Sequence, residues 1–294
     1  MSSRLIINAD DFGLTPGINR SILELHQAGV LSSATLMATG AAFDDAAAIA
    51  RSAPTLGIGC HIVLTDGIPA SPPGNIPSLL GPDGKTFRPS LLNFVQALLR
   101  GHIREADIER EAEAQIEKLQ RAGIAITHAD THKHTHLFPA VTQPLLRVLE
   151  RAGIHAIRNP FEPSFTQGLA HAGIKRRLQI NLLNRLRPAF ERHPQLRDGS
   201  ILTTDGTLGV SATGNLNAST LSEILSATPS IGTYELVCHP GYNDRDLDRV
   251  TTRLRAHREI EMQALRSAIP SALAQPNRIQ LIHYGKLDVA NRLP

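Results

Sequence analysis

The chain has 294 residues, of which 41% are hydrophobic and 19% are charged, and its formal net charge is +3. This length suits either two ordinary domains or one α/β barrel of roughly 250 residues. Aromatic residues make up only 4% of the chain, tryptophan is absent and the basic residues are scattered, so binding of nucleic acid, which requires a basic patch with stacking aromatic side chains, is not expected.

Short β-branched segments alternate with longer helical segments, which predicts repeated β-α-β units and a parallel sheet. Thr15 and Pro16 provide the N-cap and first residue of the first helix, which Gly29 ends. The predicted strands are residues 4–8, 33–37, 57–64, 124–129, 155–158, 200–203, 235–238 and 278–283. Further helices are predicted at residues 41–53, 107–121, 139–151, 174–192, 219–227 and 246–269.

This pattern favours a single α/β domain over residues 1–294 with an irregular, TIM-barrel-like (β/α) fold. A doubly wound open sheet is the alternative. The segment 65–104, rich in proline and glycine, is too long for an ordinary connection between a strand and a helix. Because it also contains large apolar residues, we expect an ordered lid or loop insertion after the third strand.

Polar residues fall at one end of the predicted strands. Asp10 and Asp11 follow the first strand, His61 lies in the C-terminal half of the third, His239 follows the seventh and His283 closes the eighth. In parallel α/β folds the C-terminal ends of the strands carry the chemistry. These side chains are therefore expected to converge on one rim.

The segment 128–136 (HADTHKHTH) holds four of the 13 histidines of the chain. From Asp130 onward it follows the fourth strand, at the same rim. Side chains two residues apart on a strand stand roughly 6.6 Å apart, whereas ligands of one cation lie about 2.0–2.2 Å from it. We therefore expect only part of this cluster to bind one ion, and a polar loop without metal is the alternative.

The other polar residues of the rim also have two interpretations. Asp10 and Asp11 could form a turn or a helix cap, His61 could be a core histidine, and His239 could begin a turn before Pro240. Opposite a histidine cluster, however, one carboxylate can bind a metal ion while its neighbour accepts a proton from water. The common rim favours this functional interpretation, with His239 as a candidate general acid.

Four segments in the same order resemble the YdjC-type carbohydrate deacetylases, the chitooligosaccharide deacetylase family: 8–13 (NADDFG), 59–65 (GCHIVLT), 130–136 (DTHKHTH) and 238–241 (CHPG). The resemblance implies a TIM-barrel-like fold, one divalent metal ion (Mg²⁺ or Zn²⁺) and removal of an N-acetyl group from an acetylated amino sugar. It implies Asp11, His61 and His132 as metal ligands. By analogy with related polysaccharide deacetylases, Asp10 is the expected general base and His239 the general acid.

The remaining polar residues are expected to support this reaction. Asp130, His134 and His136 would orient His132 or contact the sugar, and Arg158 would bind the sugar or a carboxylate. The segment 165–198 is longer than in compact chitooligosaccharide enzymes, so the substrate is either an oligosaccharide or a glycolipid head group, as in the hopanoid-associated branch. Its basic, leucine-rich part is interpreted as an ordinary packed helix. The resemblance also suggests a homodimer.

Two other functions remain open at this point. A metal-dependent phosphoesterase often uses two ions about 3.5–4 Å apart, so metal stoichiometry separates it from a deacetylase. A non-catalytic sugar-binding barrel would bind the sugar without turnover. The presence of a proposed base, acid and ligand set in one chain argues against this last alternative.

The two cysteines, Cys60 and Cys238, are too few for a disulfide framework or a structural zinc site. Each precedes a histidine, and we expect both to be packed in the core. The sequence begins with a strand-like segment in place of an apolar signal peptide, and no segment approaches the ~20 apolar residues of a membrane span. A soluble, cytoplasmic protein without an integral membrane segment is expected.

Overall fold

A curled parallel sheet with helices packed around it forms the centre of the computed structural model, which describes residues 2–166, 168–169, 180–275 and 278–288. The strands are β1 (Ser3–Phe12), β2 (Ser33–Leu36), β3 (Gly57–Ile62), β4 (Ile126–Thr131), β5 (Gly206–Leu208), β6 (Thr233–Cys238) and β7 (Ile279–Leu281). Their order in the sheet is β4-β3-β2-β1-β6-β5, and β7 pairs with the first residues of β1. The prediction of a parallel α/β fold is confirmed.

Helices connect most of the strands, as the sequence pattern predicts. The first one begins where expected, because the Thr15 side chain accepts a hydrogen bond from the Ile18 backbone N–H and Pro16 is its first residue. The helices are α1 (Pro16–Gln27), α2 (Phe43–Ser52), α3 (Leu91–Leu99), α4 (Glu105–Arg121), α5 (Pro139–Arg151), α6 (Arg187–Glu191), α7 (Pro194–Arg197), α8 (Ala218–Ala227) and α9 (Ala256–Leu273).

The predicted fifth and sixth strands, residues 155–158 and 200–203, are reduced to single parallel bridges. Ala129 of β4 pairs with Ile157, and Ala156 pairs with Leu202. Pro160, which follows the first of these segments, has no N–H to donate to a ladder, which limits its length. The bridges continue the sheet from β4 towards β5. The sequence analysis did not predict β5 as a strand. The result is a barrel-like curl in which these two segments pair over a shorter length than expected.

Strand ends also differ from the prediction where they bear on the polar residues. β1 extends further than expected and β4 lies two residues later than expected, so Asp10 and Asp11 are among the last three residues of β1 and Asp130 is the second-last residue of β4. The expectation that His283 reaches the same rim is wrong. Because β7 pairs only with residues 3–5 at the start of β1, His283 lies beside Gly57, the first residue of β3, where an added Cβ would be 2.6 Å from the His283 Cβ.

The segment 65–104 is folded against α4 and contains α3, which the sequence analysis did not predict. Ile76, Leu79 and Phe87 are buried in the main hydrophobic cluster. Glu111 of α4 accepts hydrogen bonds from the backbone N–H groups of Ala70 and Ser71, at 2.8 and 2.9 Å. These contacts fix a proline- and glycine-rich segment that has little regular structure of its own.

Other sequence predictions have mixed outcomes. Cys60 and Cys238 are fully buried, as predicted. The predicted helix at 174–192 falls partly outside the described residues, which resume at residue 180 and include α6 in that range. In the part of the chain that the structure describes, no helix combines the length and apolarity that crossing a membrane requires.

Candidate metal and catalytic site

The end of β1 carries two adjacent carboxylates that face different partners. The pairing of β1 with β2 shifts register between Ala9 and Phe12, which marks a bulge, and Asp11 has a left-handed φ of 64°. Such a φ is uncommon outside glycine, although aspartate adopts it more readily than most residues. Bulges re-aim side chains near functional sites. Here Asp10 faces Arg158, whereas Asp11 faces a pair of histidines.

Asp11, His61 and His132 form a compact triangle of donor atoms. The Asp11 Oδ1 lies 3.7 Å from His61 Nε2 and 3.5 Å from His132 Nδ1, and the two ring nitrogens are 3.3 Å apart. Ligands about 2.1 Å from a tetrahedral cation stand roughly 3.4 Å from one another. The spacing and the chemistry of one carboxylate with two imidazoles therefore fit a divalent metal ion.

Two further side chains hold these ligands. The His61 Nδ1 lies 2.7 Å from the Asp130 Oδ1, and the Arg258 Nη2 donates to the Asp11 Oδ2 at 2.6 Å. Burial alone would raise the pKa of Asp11, but the Arg258 guanidinium outweighs it and holds this pKa well below its usual range. Burial would lower the pKa of His61, but the Asp130 carboxylate raises it to about 9. The atoms left to bind a metal ion, the Asp11 Oδ1 and the His61 Nε2, therefore face each other.

Asp10 lies in a dense set of hydrogen-bond donors. Arg158 binds both of its oxygens, at 2.6 and 2.9 Å, and Asn8 and Thr35 donate to its Oδ1 at 3.0 and 3.2 Å. Burial would raise the pKa of this carboxyl, but the Arg158 guanidinium outweighs it, so the pKa lies far below its usual range. Asp10 is therefore an ionised carboxylate with a fixed direction.

Arg158 connects three carboxylates and is itself fully buried. Besides Asp10, its guanidinium contacts Asp130 and donates to the Glu235 Oε1 from both Nε and Nη2, at 2.9 and 2.6 Å. The expectation that Arg158 binds the sugar is therefore corrected, because a guanidinium enclosed by protein carboxylates has no surface for a substrate. The carboxylates that Arg158 does bind are those of the protein itself.

His239 lies next to Asp10 at the end of β6. Its Nε2 is 3.8 Å from the Asp10 Oδ2, and its side chain is 12% exposed. Glu261 of α9 accepts a hydrogen bond from the His239 backbone N–H at 2.6 Å and lies 3.9 Å from Nδ1. Burial raises the pKa of Glu261. The structure thus brings the expected base and the expected acid together.

The remaining histidines of the 128–136 cluster have different surroundings. His136 is fully buried; its Nδ1 lies 2.7 Å from the Thr131 Oγ1 and its Nε2 3.2 Å from the Arg158 carbonyl oxygen. His134 is partly exposed, and it has a left-handed φ of 53°. Among Asp130, His134, His136 and Arg158, His134 is therefore the one with surface that a substrate could touch.

A second group of three donors shares His61 with the first and includes Asp10 and Asp130. The Arg158 guanidinium, however, contacts both of these carboxylates. The guanidinium thus already provides the positive charge that a metal ion would otherwise bring to Asp10 and Asp130. Within the described residues, this arrangement favours one cation site over two.

Sequence reasoning missed three charged residues around the site. Glu235 could have been noticed, because it is the charged residue of an otherwise apolar strand, TYELVC. Arg258 and Glu261 belong to the charged sequence of α9, in which nothing distinguishes them from surface residues. Both are buried, and they reach Asp11 and His239 through the packing of this helix.

Comparisons with known proteins agree with this site. The YdjC-like protein family matches residues 4–275. A carbohydrate deacetylase of Brevibacillus brevis is 31% identical over 284 residues, which cover 97% of this chain and 99% of that protein. A human carbohydrate deacetylase is 32% identical over 253 residues, covering 81% and 75%. A structure from Enterococcus faecalis V583, described as a candidate cellobiose-phosphate cleavage protein, has a TM-score of 0.75 with 25% identity and covers 97% of this chain and 98% of that one.

Proposed function

Because this chain belongs to the YdjC-like family, we propose that it is a metal-dependent carbohydrate deacetylase that removes an N-acetyl group from an acetylated amino sugar. Relatives named carbohydrate deacetylase support the reaction class. The observation that carries the proposal is the triangle of Asp11, His61 and His132 donor atoms beside Asp10 and His239. The strand order and the two bridges support an irregular TIM-type barrel as its scaffold.

Asp11, His61 and His132 would hold the cation, with Asp130 and Arg258 fixing the directions of two of these ligands. Of Mg²⁺ and Zn²⁺, zinc fits two imidazoles and one carboxylate better, since magnesium prefers oxygen ligands. When bound, the cation would polarise the acetamide carbonyl and lower the pKa of a water molecule from about 15.7 towards ~7, as in the best zinc cases.

Asp10 acts as the general base in this proposal. Its donors, Arg158, Asn8 and Thr35, keep it ionised and aimed, which a base requires before the proton arrives. The same donors make it a weak base. It is therefore suited to take a proton from an already acidified water and unsuited to activate a free one. A protonated Asp10 could not act as the base.

His239 acts as the general acid, in its protonated form, and gives a proton to the departing amine nitrogen. Its Nε2 lies 3.8 Å from the Asp10 Oδ2, which puts acid and base within reach of one acetamide group. Glu261 holds the His239 backbone through its N–H and lies close to Nδ1.

The sugar would be bound by the loops at this rim. His134 is the proposed contact within the histidine cluster, since its neighbours Asp130 and His136 are buried. The segment 65–104 would act as a lid: Asp66 near its start forms an ion pair with Lys133, which directly follows His132. The proposal includes an oligosaccharide or glycolipid head group as substrate, a cytoplasmic location and a homodimer.

The experiment that tests the reaction class compares two products from the zinc-loaded protein. Acetate is measured with N-acetylglucosamine oligomers and N-acetylated glycolipids, and phosphate with p-nitrophenyl phosphate and cellobiose phosphate. His61→Ala is the matched variant, because it removes one proposed ligand. Acetate release that His61→Ala abolishes supports the proposal. Phosphate release without acetate, with two ions per chain, would establish a phosphoesterase instead.

A further inference from the structure

Glu235 and Tyr284 extend the hydrogen-bonded network of Asp10 into the interior of the curled sheet. Glu235 receives Arg158 on its Oε1. Its Oε2 accepts hydrogen bonds from the Tyr284 hydroxyl and, at 3.3 Å, from the Thr207 hydroxyl. Arg158, Glu235 and Tyr284 are 0%, 0% and 2% exposed. A continuous series of hydrogen bonds thus connects Tyr284 through Glu235 and Arg158 to Asp10.

Tyr284 is held rigidly enough to fix the far end of this series of hydrogen bonds. Its ring stacks on His128, with centroids 3.8 Å apart and planes 11° from parallel. On the other face of His128, Gly59 leaves room for the imidazole, since an added Cβ would lie 2.4 Å from the His128 Cε1. Tyr284 also packs in a small hydrophobic cluster with Ile6, Ala156, Leu202 and Ile282.

The charges explain why Arg158 needs this support. Three carboxylates, those of Asp10, Asp130 and Glu235, share one guanidinium. Its orientation therefore depends on where each carboxylate is fixed. Burial raises the pKa of Tyr284 well above its usual value, so the hydroxyl keeps its proton and can donate to Glu235. With Thr207, it anchors the Glu235 carboxylate from the side opposite to Arg158.

We propose that Tyr284 and Glu235 are positioning residues for deacetylation, which hold the Arg158 guanidinium in the orientation that fixes Asp10. This inference rests on the proposed function. Both residues are buried away from any substrate surface and act only through Arg158. Tyr284 lies beyond residues 4–275, the part of the chain that the family match covers, so the segment after β7 contributes directly to the arrangement of the site.

The first test is the steady-state kinetics of Tyr284→Phe, which removes one hydroxyl and keeps the stacked ring. We expect kcat for acetate release to fall about tenfold, the equivalent of about 1.4 kcal/mol, with KM and metal content unchanged. Tyr234→Phe is the matched control, because Tyr234 precedes Glu235 on β6 and its side chain lies on the opposite face of the strand; its kcat should stay at the wild-type value. A Tyr284→Phe protein with lowered Tm and wild-type kcat would overturn the proposal and leave Tyr284 a packing residue.

The second test does not require activity. Asp10→Asn and Tyr284→Phe are made singly and together, and the Tm of each is measured. The two sites are linked through Arg158 and Glu235, so the loss in the double variant should differ from the sum of the single losses. Additive losses of Tm would contradict the hydrogen-bonded connection between Tyr284 and Asp10, even if the enzyme is active. Non-additive losses of Tm in a protein that releases no acetate would support this hydrogen-bonded connection and count against the proposed function.

Discussion

His61 and Asp130 are paired residues of β3 and β4, and their side chains form a 2.7 Å hydrogen bond between Nδ1 and Oδ1. This bond turns the His61 Nε2 towards the Asp11 Oδ1, 3.7 Å away. The direction of one proposed ligand is therefore set by the register of two strands. A carboxylate that holds a metal-binding histidine in this way fixes both its tautomer and its ring orientation.

Asp130→Asn should weaken metal binding, because an amide cannot hold the imidazole with the same charge. We expect the dissociation constant for zinc to rise by about 10- to 100-fold, as for other partners of metal-binding histidines. Competition with a fluorescent chelator measures it. Asp44→Asn, a change at an exposed aspartate of α2, is the control and should bind zinc like wild type. An unchanged affinity for zinc in Asp130→Asn would show that Asp130 does not support metal binding by His61.

Asp10→Asn should keep the metal and lose the reaction. Asp10 is outside the donor triangle, so metal content should remain at the wild-type level. An amide cannot accept the proton, and general base catalysis contributes about 10²–10⁴-fold, so kcat should fall within that range. Metal analysis and acetate release on the same sample separate the two effects. Normal turnover in Asp10→Asn would show that another group is the base.

Glu261→Gln should lower kcat and leave metal content unchanged. The buried carboxylate accepts the His239 N–H at 2.6 Å and a longer hydrogen bond from Gly214 at 3.5 Å, whereas an amide has one acceptor oxygen. Loss of a charge-assisted bond of about 1.5–3 kcal/mol predicts a fall of roughly 10- to 100-fold in kcat. Glu223→Gln, at an exposed position on α8, serves as the control. A wild-type kcat in Glu261→Gln would mean that His239 acts without this support.

Gly59→Ala should destabilise the fold, because its Cβ would meet the His128 ring, which Tyr284 confines from the other face. Overpacking of this kind costs about 1–3 kcal/mol. Urea unfolding measures the free energy of unfolding. Gly74→Ala is the matched control, since nothing lies within 4 Å of an added Cβ there. Equal stability of the two variants would contradict the tight contact between β3 and the His128 ring.

The sequence predicted the features that depend on local pattern. Thr15 and Pro16 mark a helix start, and the polar residues after apolar strands mark one rim, so Asp10, Asp11, His61, His132 and His239 could be named before the structure was known. The expected convergence of these five side chains is observed. Their chemical roles remain proposals.

Other parts of the site depend on packing between distant segments and were not predictable. Arg258 and Glu261 are ordinary charged residues of a helix until α9 packs against the rim. The left-handed φ of Asp11 results from a bulge between β1 and β2, for which the sequence offers no glycine. His283 was misplaced because strand periodicity does not reveal where along β1 the last strand pairs.

The most direct test of the central claim is a titration of zinc into metal-free protein, with acetate release from N-acetylglucosamine oligomers as the readout. The Asp11, His61 and His132 triangle predicts that activity rises from near zero and reaches its maximum at one equivalent of zinc per chain, and that His61→Ala gives no rise. Acetate release that is already complete without metal, or that needs two equivalents, would contradict a single-cation deacetylase built on these three residues.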